Sequence, residues 1–133
     1  MTTADDLAQQ SMPLCATLGI TTQEATRDKV VLAMDWDKTL CTVADGLHGG
    51  ALMALADSAG AISAFLNLPD DATGTSTIES KTNFLGAVRS GVVLAVSRPL
   101  HVGSTTIVVE TEVRNGDRLV AKTMQTQIVQ RRR

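Results

Sequence analysis

The sequence His48-Gly49-Gly50 is followed, inside the apolar run GLHGGALMALADSAG at 46–60, by a single carboxylate, Asp57. If a helix opens at the glycines, its first backbone N–H groups have no internal partner. The helix dipole adds partial positive charge at that end, and a glycine lets a ligand approach because no Cβ intervenes. Such an entrance suits a developing oxyanion, although a flexible helix start has the same composition. Asp57 is suited to act as a base or a nucleophile. Together the two features point to attack on an activated carbonyl, in acyl transfer or hydrolysis. The alternative for Asp57 is an acid satisfied by hydroxyls such as Ser58, or one that reaches solvent at an edge.

Spacing constrains how the two features act. Asp57 follows Gly49 by eight residues, about 12 Å along a helix axis at 1.5 Å per residue. One helix therefore cannot bring both groups to the same reacting atom. A two-fold dimer would set each helix start opposite the partner's acid and create two equivalent sites.

Other chemistries lack their residues. His48 and His101 have no grouped Cys or Asp partners, so no metal site is expected. Cys15 and Cys41 form no CxxC pattern and read as reduced core thiols. There is no GxSxG elbow, phosphate-binding loop or GxGxxG fingerprint. No cofactor is expected.

The elements that must position the pair can be read from periodicity. With 133 residues, 44% of them hydrophobic, the chain suits a single domain over 1–133 with a real core. A short helix is predicted over about 3–17. From Gly19 to Trp36 the pattern alternates, with Val30, Leu32, Met34 and Trp36 on one face, as in a strand or hairpin. Residues 37–47 read as a loop and 48–67 as the only long helix. Strand-like runs follow at about 75–84, 90–99, 104–114 and 118–129. Asn115-Gly116 marks a hairpin between the last two. One apolar helix among antiparallel strands predicts an α+β fold with the sheet curled round the helix. The small residues Ala51, Ala54, Ala59, Gly60 and Ala61 suit either an acyl group beside the helix or close helix–sheet packing.

The balance of charge bounds the partners. A net charge of -2 argues against nucleic acid. The cationic cluster Arg131–Arg133 is expected in a solvated tail over 130–133. The run 51–66 approaches membrane-span length but contains Asp57, two serines and a glycine, which favours a buried helix over insertion. The acidic opening MTTADDLAQQ has no leader pattern, and a cytoplasmic protein is expected.

Over about residues 12 to 130, the string LHGGALMALADSAGA, the run TSTIESKTNFLGAV and the closing strand pair resemble the PaaI-type acyl-CoA thioesterases of the hotdog fold. The resemblance implies an antiparallel sheet wrapped round one long central helix. It also implies a dimer or dimer of dimers with active sites at the dimer interface, and an acyl-CoA substrate. By resemblance, Gly49 polarises the thioester carbonyl, His48 shapes the loop, and Asp57 activates water or attacks the carbonyl. Thr77 falls where the family places a water-positioning hydroxyl. Six residues before the histidine, where relatives carry Asn or Gln, this chain has Thr42. That departure keeps a non-catalytic acyl-CoA binding module open as the alternative. Thr42, Gly50, Lys81 and Arg89 are the candidate substrate contacts, Lys81 and Arg89 for phosphate, with Arg98 and the Arg131–Arg133 cluster further cationic candidates.

Overall fold

The computed structural model describes residues 6–133. The helix expected over 3–17 is two helices, α1 (Leu7–Ser11) and α2 (Pro13–Leu18), and positions 3–5 lie outside the described residues. Pro13 causes the break. Met12, at φ -134 and ψ 105, takes the extended backbone that a following proline imposes. Asp6 caps α1 and also accepts the Thr22 N–H at 2.8 Å, which ties the N-terminal helices to the first strand.

The alternating segment is a hairpin of β1 (Thr21–Ala25) and β2 (Val30–Asp35). After it come α3 (Gly49–Leu66), β3 (Ala72–Phe84), β4 (Val92–Val102), β5 (Thr106–Asn115) and β6 (Arg118–Arg131). All ladders are antiparallel, and the six strands of the described residues form one sheet in the order β1-β2-β4-β5-β6-β3. The hairpin loop is Gly116-Asp117 rather than Asn115-Gly116. Gly116 takes φ 63, and Asn115 stays in the ladder opposite Arg118.

α3 lies on the concave face of this sheet. Leu55, Ala56, Ala59 and Ala64 are fully buried, together with Leu32, Met34, Val93 and Val113 from the strands. By length and apolarity α3 could cross a membrane, yet 56% of it is buried inside the protein, as befits a core helix. The expected tail is shorter than 130–133. Gln130 and Arg131 still pair with Gly74 and Ala72 in β3. Arg131 Nε donates to the Asp71 carboxylate at 2.7 Å, and this guanidinium holds the Asp71 carboxyl below its ordinary range.

A row of hydroxyls crosses the concave face. Ser97, Thr111, Thr123 and Thr82 are register partners on β4, β5, β6 and β3. They close as two pairs, Ser97–Thr111 at 2.6 Å and Thr82–Thr123 at 2.8 Å. Ser97 and Thr111 are both completely buried, so deleting one strands the other. Ser97→Ala should lower the urea-derived unfolding free energy by about 1–3 kcal/mol. Ser97→Ala combined with Thr111→Val should return most of that loss, because both polar groups are then gone.

Candidate active site

The helix start is anchored before it is functional. The Leu47 N–H donates to Val88 O and the His48 N–H to Leu40 O, each at 2.9 Å, which pins the entrance to two loops. His48 is the N-cap, and its Nδ1 accepts the Gly50 N–H at 2.7 Å. An accepting Nδ1 is deprotonated, so the ring's N–H is on Nε2. A Cβ at Gly50 would stand 3.0 Å from that Nδ1, so this glycine makes room for the ring. The His48 carbonyl takes the Ala51 and Leu52 N–H groups. Of the first four N–H donors, only that of Gly49 has no acceptor among the described residues. A helix entrance is thus reduced to one free donor.

Asp57 sits two turns along α3, half-buried, and its partners come from the sheet. Its Oδ1 accepts from Thr77 Oγ1 at 2.7 Å and from Gln125 Nε2 at 2.9 Å. The Ser58 hydroxyl instead donates to Ala54 O within the helix. Gln127 Nε2 donates to Thr77 Oγ1, and Thr75 donates to Gln127 Oε1 at 3.1 Å. The hydrogens of Gln127 Nε2 and of Thr77 point toward the carboxylate, whereas the single Thr75 hydrogen also has Ile128 O within reach, at 2.8 Å. Because Thr77 accepts from Gln127, its own proton is committed to Asp57. No described residue donates a hydrogen bond to Asp57 Oδ2.

Within this chain the acid and the free N–H are apart. A Cβ at Gly49 would be 3.1 Å from the tip of the Phe84 ring, at the end of β3, whereas Asp57 is bonded to Thr77 in its middle. The other candidates divide. Thr42 stands at the neck of a tight loop, its N–H on Gly46 O at 2.8 Å and its hydroxyl without a partner among the described residues. Ala44 and Asp45 in that loop both have positive φ, near 59 and 58. Their carbonyls are held by Arg89 Nε at 3.4 Å and Trp36 Nε1 at 2.9 Å. Arg89 is thereby brought to the Gly49 end. Lys81 is exposed on β3 opposite Met124, on the face away from α3. Arg98 is exposed on β4 opposite Glu110, and Arg131 is occupied by Asp71 and the Ser104 carbonyl. Among the described residues no cluster of His, Cys, Asp and Glu could hold a metal.

Gln125 and Gln127 escaped the sequence reading. They are fully buried, while Met124 and Ile128 of the same strand face outward. The signal was present as an inverted alternation, with the amides where apolar residues belong.

Known proteins share the family pattern and the fold of this chain. The pattern of the thioesterase superfamily matches residues 46–122, from the helix entrance into β6. ComA2 of Bacillus subtilis (strain 168), named as an esterase, is 38% identical over 96 residues, 71% of this chain and 75% of that protein. Among solved structures, a protein from Pseudomonas aeruginosa superposes with a TM-score of 0.84 at 30% identity, covering 89% of this chain and 94% of that one. A thioesterase from Haemophilus influenzae superposes with a TM-score of 0.86 at 26% identity, covering 97% and 91%. The architecture is that of the hotdog fold.

The His48 cap is separable from bulk packing, because the side chain is exposed and its one bond is to Gly50. His48→Ala should destabilise by about 1 kcal/mol in urea unfolding, whereas His48→Asn, whose oxygen can cap, should recover most of it.

Proposed function

We propose that this chain, which belongs to the thioesterase superfamily, hydrolyses an acyl-CoA thioester at a site completed by a second copy of itself. The observation that carries the reading is the pairing of one free N–H at Gly49 with one free carboxylate oxygen at Asp57, on a single rigid helix that keeps them apart. A two-fold axis crossing β3 between Thr77 and Phe84, near Ser80 and Lys81, would set Asp57 opposite Gly49 of the partner subunit. The edge of β3 that does not face β6 supports this. It is a 13-residue strand with a row of unpaired backbone groups, the kind of edge that seeks a partner strand.

In the proposed reaction Asp57 Oδ2 takes a proton from water, and the water oxygen bonds to the thioester carbonyl carbon. Negative charge then develops on the carbonyl oxygen and is accepted by the Gly49 N–H. The C–S bond breaks, the carboxylic acid is released, and the proton held by Asp57 passes to the departing sulfur to give the CoA thiol. Arg89, whose Nε donates to Ala44 O in the loop before the helix entrance, is the basic side chain proposed to meet a CoA phosphate. An acyl-CoA binding module remains the alternative, favoured by Thr42, which offers no amide at the loop.

The reading is tested by following thiol release from a panel of acyl-CoAs. Asp57→Asn should lower kcat at least about 100-fold. Gly49→Pro deletes the donor at the first helical position, where proline is tolerated, and His48 at φ -61 and ψ 135 already has the backbone a proline requires. It should lower kcat about 100-fold or more with the fold retained. Mixing the two inactive variants should restore about a quarter of wild-type activity, since half the dimers then hold one intact site of two. Turnover surviving Asp57→Asn would assign the wrong acid. Acyl-CoA binding without release would favour the binding module.

A further inference from the structure

We propose that Gln125 is the positioning residue for Asp57, holding Oδ1 so that Oδ2 alone is presented for reaction, and that Gly60 is glycine in order to admit it. The proposal rests on the functional reading above but adds a residue and its seat to it.

The argument starts from what a buried glutamine costs. Gln125 is completely buried on the concave face of β6. Its Nε2 reaches Asp57 Oδ1 at 2.9 Å and lies 3.4 Å from Thr77 Oγ1, yet its Oε1 is buried with no hydrogen-bond partner among the described residues. An unsatisfied buried acceptor is unfavourable, and an apolar residue of similar shape would avoid that cost. Turning the amide over would put Oε1 against a carboxylate oxygen, which is worse. The side chain therefore keeps one orphaned atom in order to keep one donor on Asp57.

Gly60 carries the same cost on the opposing surface. Glycine inside a helix is less favourable than alanine by about 1 kcal/mol, and Gly60 lies in the interior of α3, fully buried. A Cβ there would overlap Gln125 Oε1 and Cδ. The helix has given up a methyl group where the amide needs the space. Two unfavourable features that face each other, and whose shared product is a bond to Asp57, are hard to explain by packing.

Thr77 and Gln125 also divide the work. Thr77 lies beyond the carboxylate on β3 and Gln125 beneath it on β6, so together they converge on Oδ1 from two strands. With both in place Oδ1 is held by two donors. Without Gln125, Oδ1 retains a single bond about which the group can rotate.

The test uses the full-length protein with an acyl-CoA and with p-nitrophenyl butyrate, an activated ester lacking CoA. Gln125→Met keeps the volume but removes the donor, and it should lower kcat about 10–100-fold, the cost of a misplaced reacting group, with KM changed less than about two-fold. Gly60→Ala, leaving Gln125 intact but displacing its amide, should show the same split. Gly60→Ala added to Gln125→Ala should cause no further loss of kcat beyond Gln125→Ala alone. In ¹⁵N-labelled protein the Gln125 side-chain NH₂ signals, identified by their absence in Gln125→Met, should move on Asp57→Asn. Unchanged kcat in Gln125→Met, multiplying losses in the double variant, or an amide indifferent to Asp57→Asn would each overturn the assignment. Failure of the acyl-CoA reading is separately visible as a wild-type protein that releases no CoA, in which case the amide signals still decide the role of Gln125.

Discussion

A carboxylate placed midway along an apolar helix has to be stabilised from outside that helix. Asp57 is two turns from the entrance, beyond the first-turn range in which the dipole helps an anion. Its neighbours in the chain are alanines and Ser58, whose hydroxyl is spent on Ala54 O. The donors therefore come from the sheet, Thr77 on β3 and Gln125 on β6, with Gln127 donating in turn to Thr77. Charge-assisted bonds of this kind are stronger than neutral ones, and bonds in series polarise one another. Much of the sheet's polar interior follows from that one ion.

The second constraint is rigidity. Because α3 is held along its length by buried contacts, the distance from its free N–H to its acid does not adjust to a substrate. The cap arrangement sharpens this. His48 satisfies the N–H groups of Gly50, Ala51 and Leu52, and one donor is left where several would otherwise compete for a ligand. The protein controls the entrance by occupying donors, and the position of the remaining one is set by the anchors at Val88 and Leu40.

Most of the fold was legible because most of it obeys simple periodicity. The alternation of Val30, Leu32 and Met34, the uninterrupted apolar run at 51–66 and the turn beside Gly116 each identified an element within a few residues. The first helix was misjudged through Pro13, whose effect on Met12 outweighed the amphipathic pattern. The candidate site was half legible. Gly49, His48 and Asp57 carry their signal in one contiguous string, and the distance between them needs only helix geometry. Gln125 and Gln127 lie 68 and 70 positions beyond Asp57 in the chain, and nothing local marks them except the outward-facing Met124 and Ile128. Their meaning depends on which strand lies under the acid, which is a property of the strand order and not of any local stretch.

That inversion in β6 shows how the fold accommodates a half-buried carboxylate. Interior positions that would be cheapest as valine are occupied by amides, and outward positions that would be cheapest as polar residues hold Met124 and Ile128. Slipping the strand by one residue would exchange the two faces, bringing Met124 and Ile128 inward together with Lys122 and Thr126, and would leave Asp57 without donors from that strand. The observed register is kept by its neighbours: Val109 opposite Gln125 on β5, Thr111 opposite Thr123, and the bulge between Thr77 and Glu79 on β3. The bulge matters most. It falls immediately after Thr77, so the strand changes phase there. Thr77 can then face the helix at Asp57 while Thr82 faces the hydroxyl row, although the two differ by an odd number of positions. A strand without that bulge could satisfy the hydroxyl row or the carboxylate, but not both.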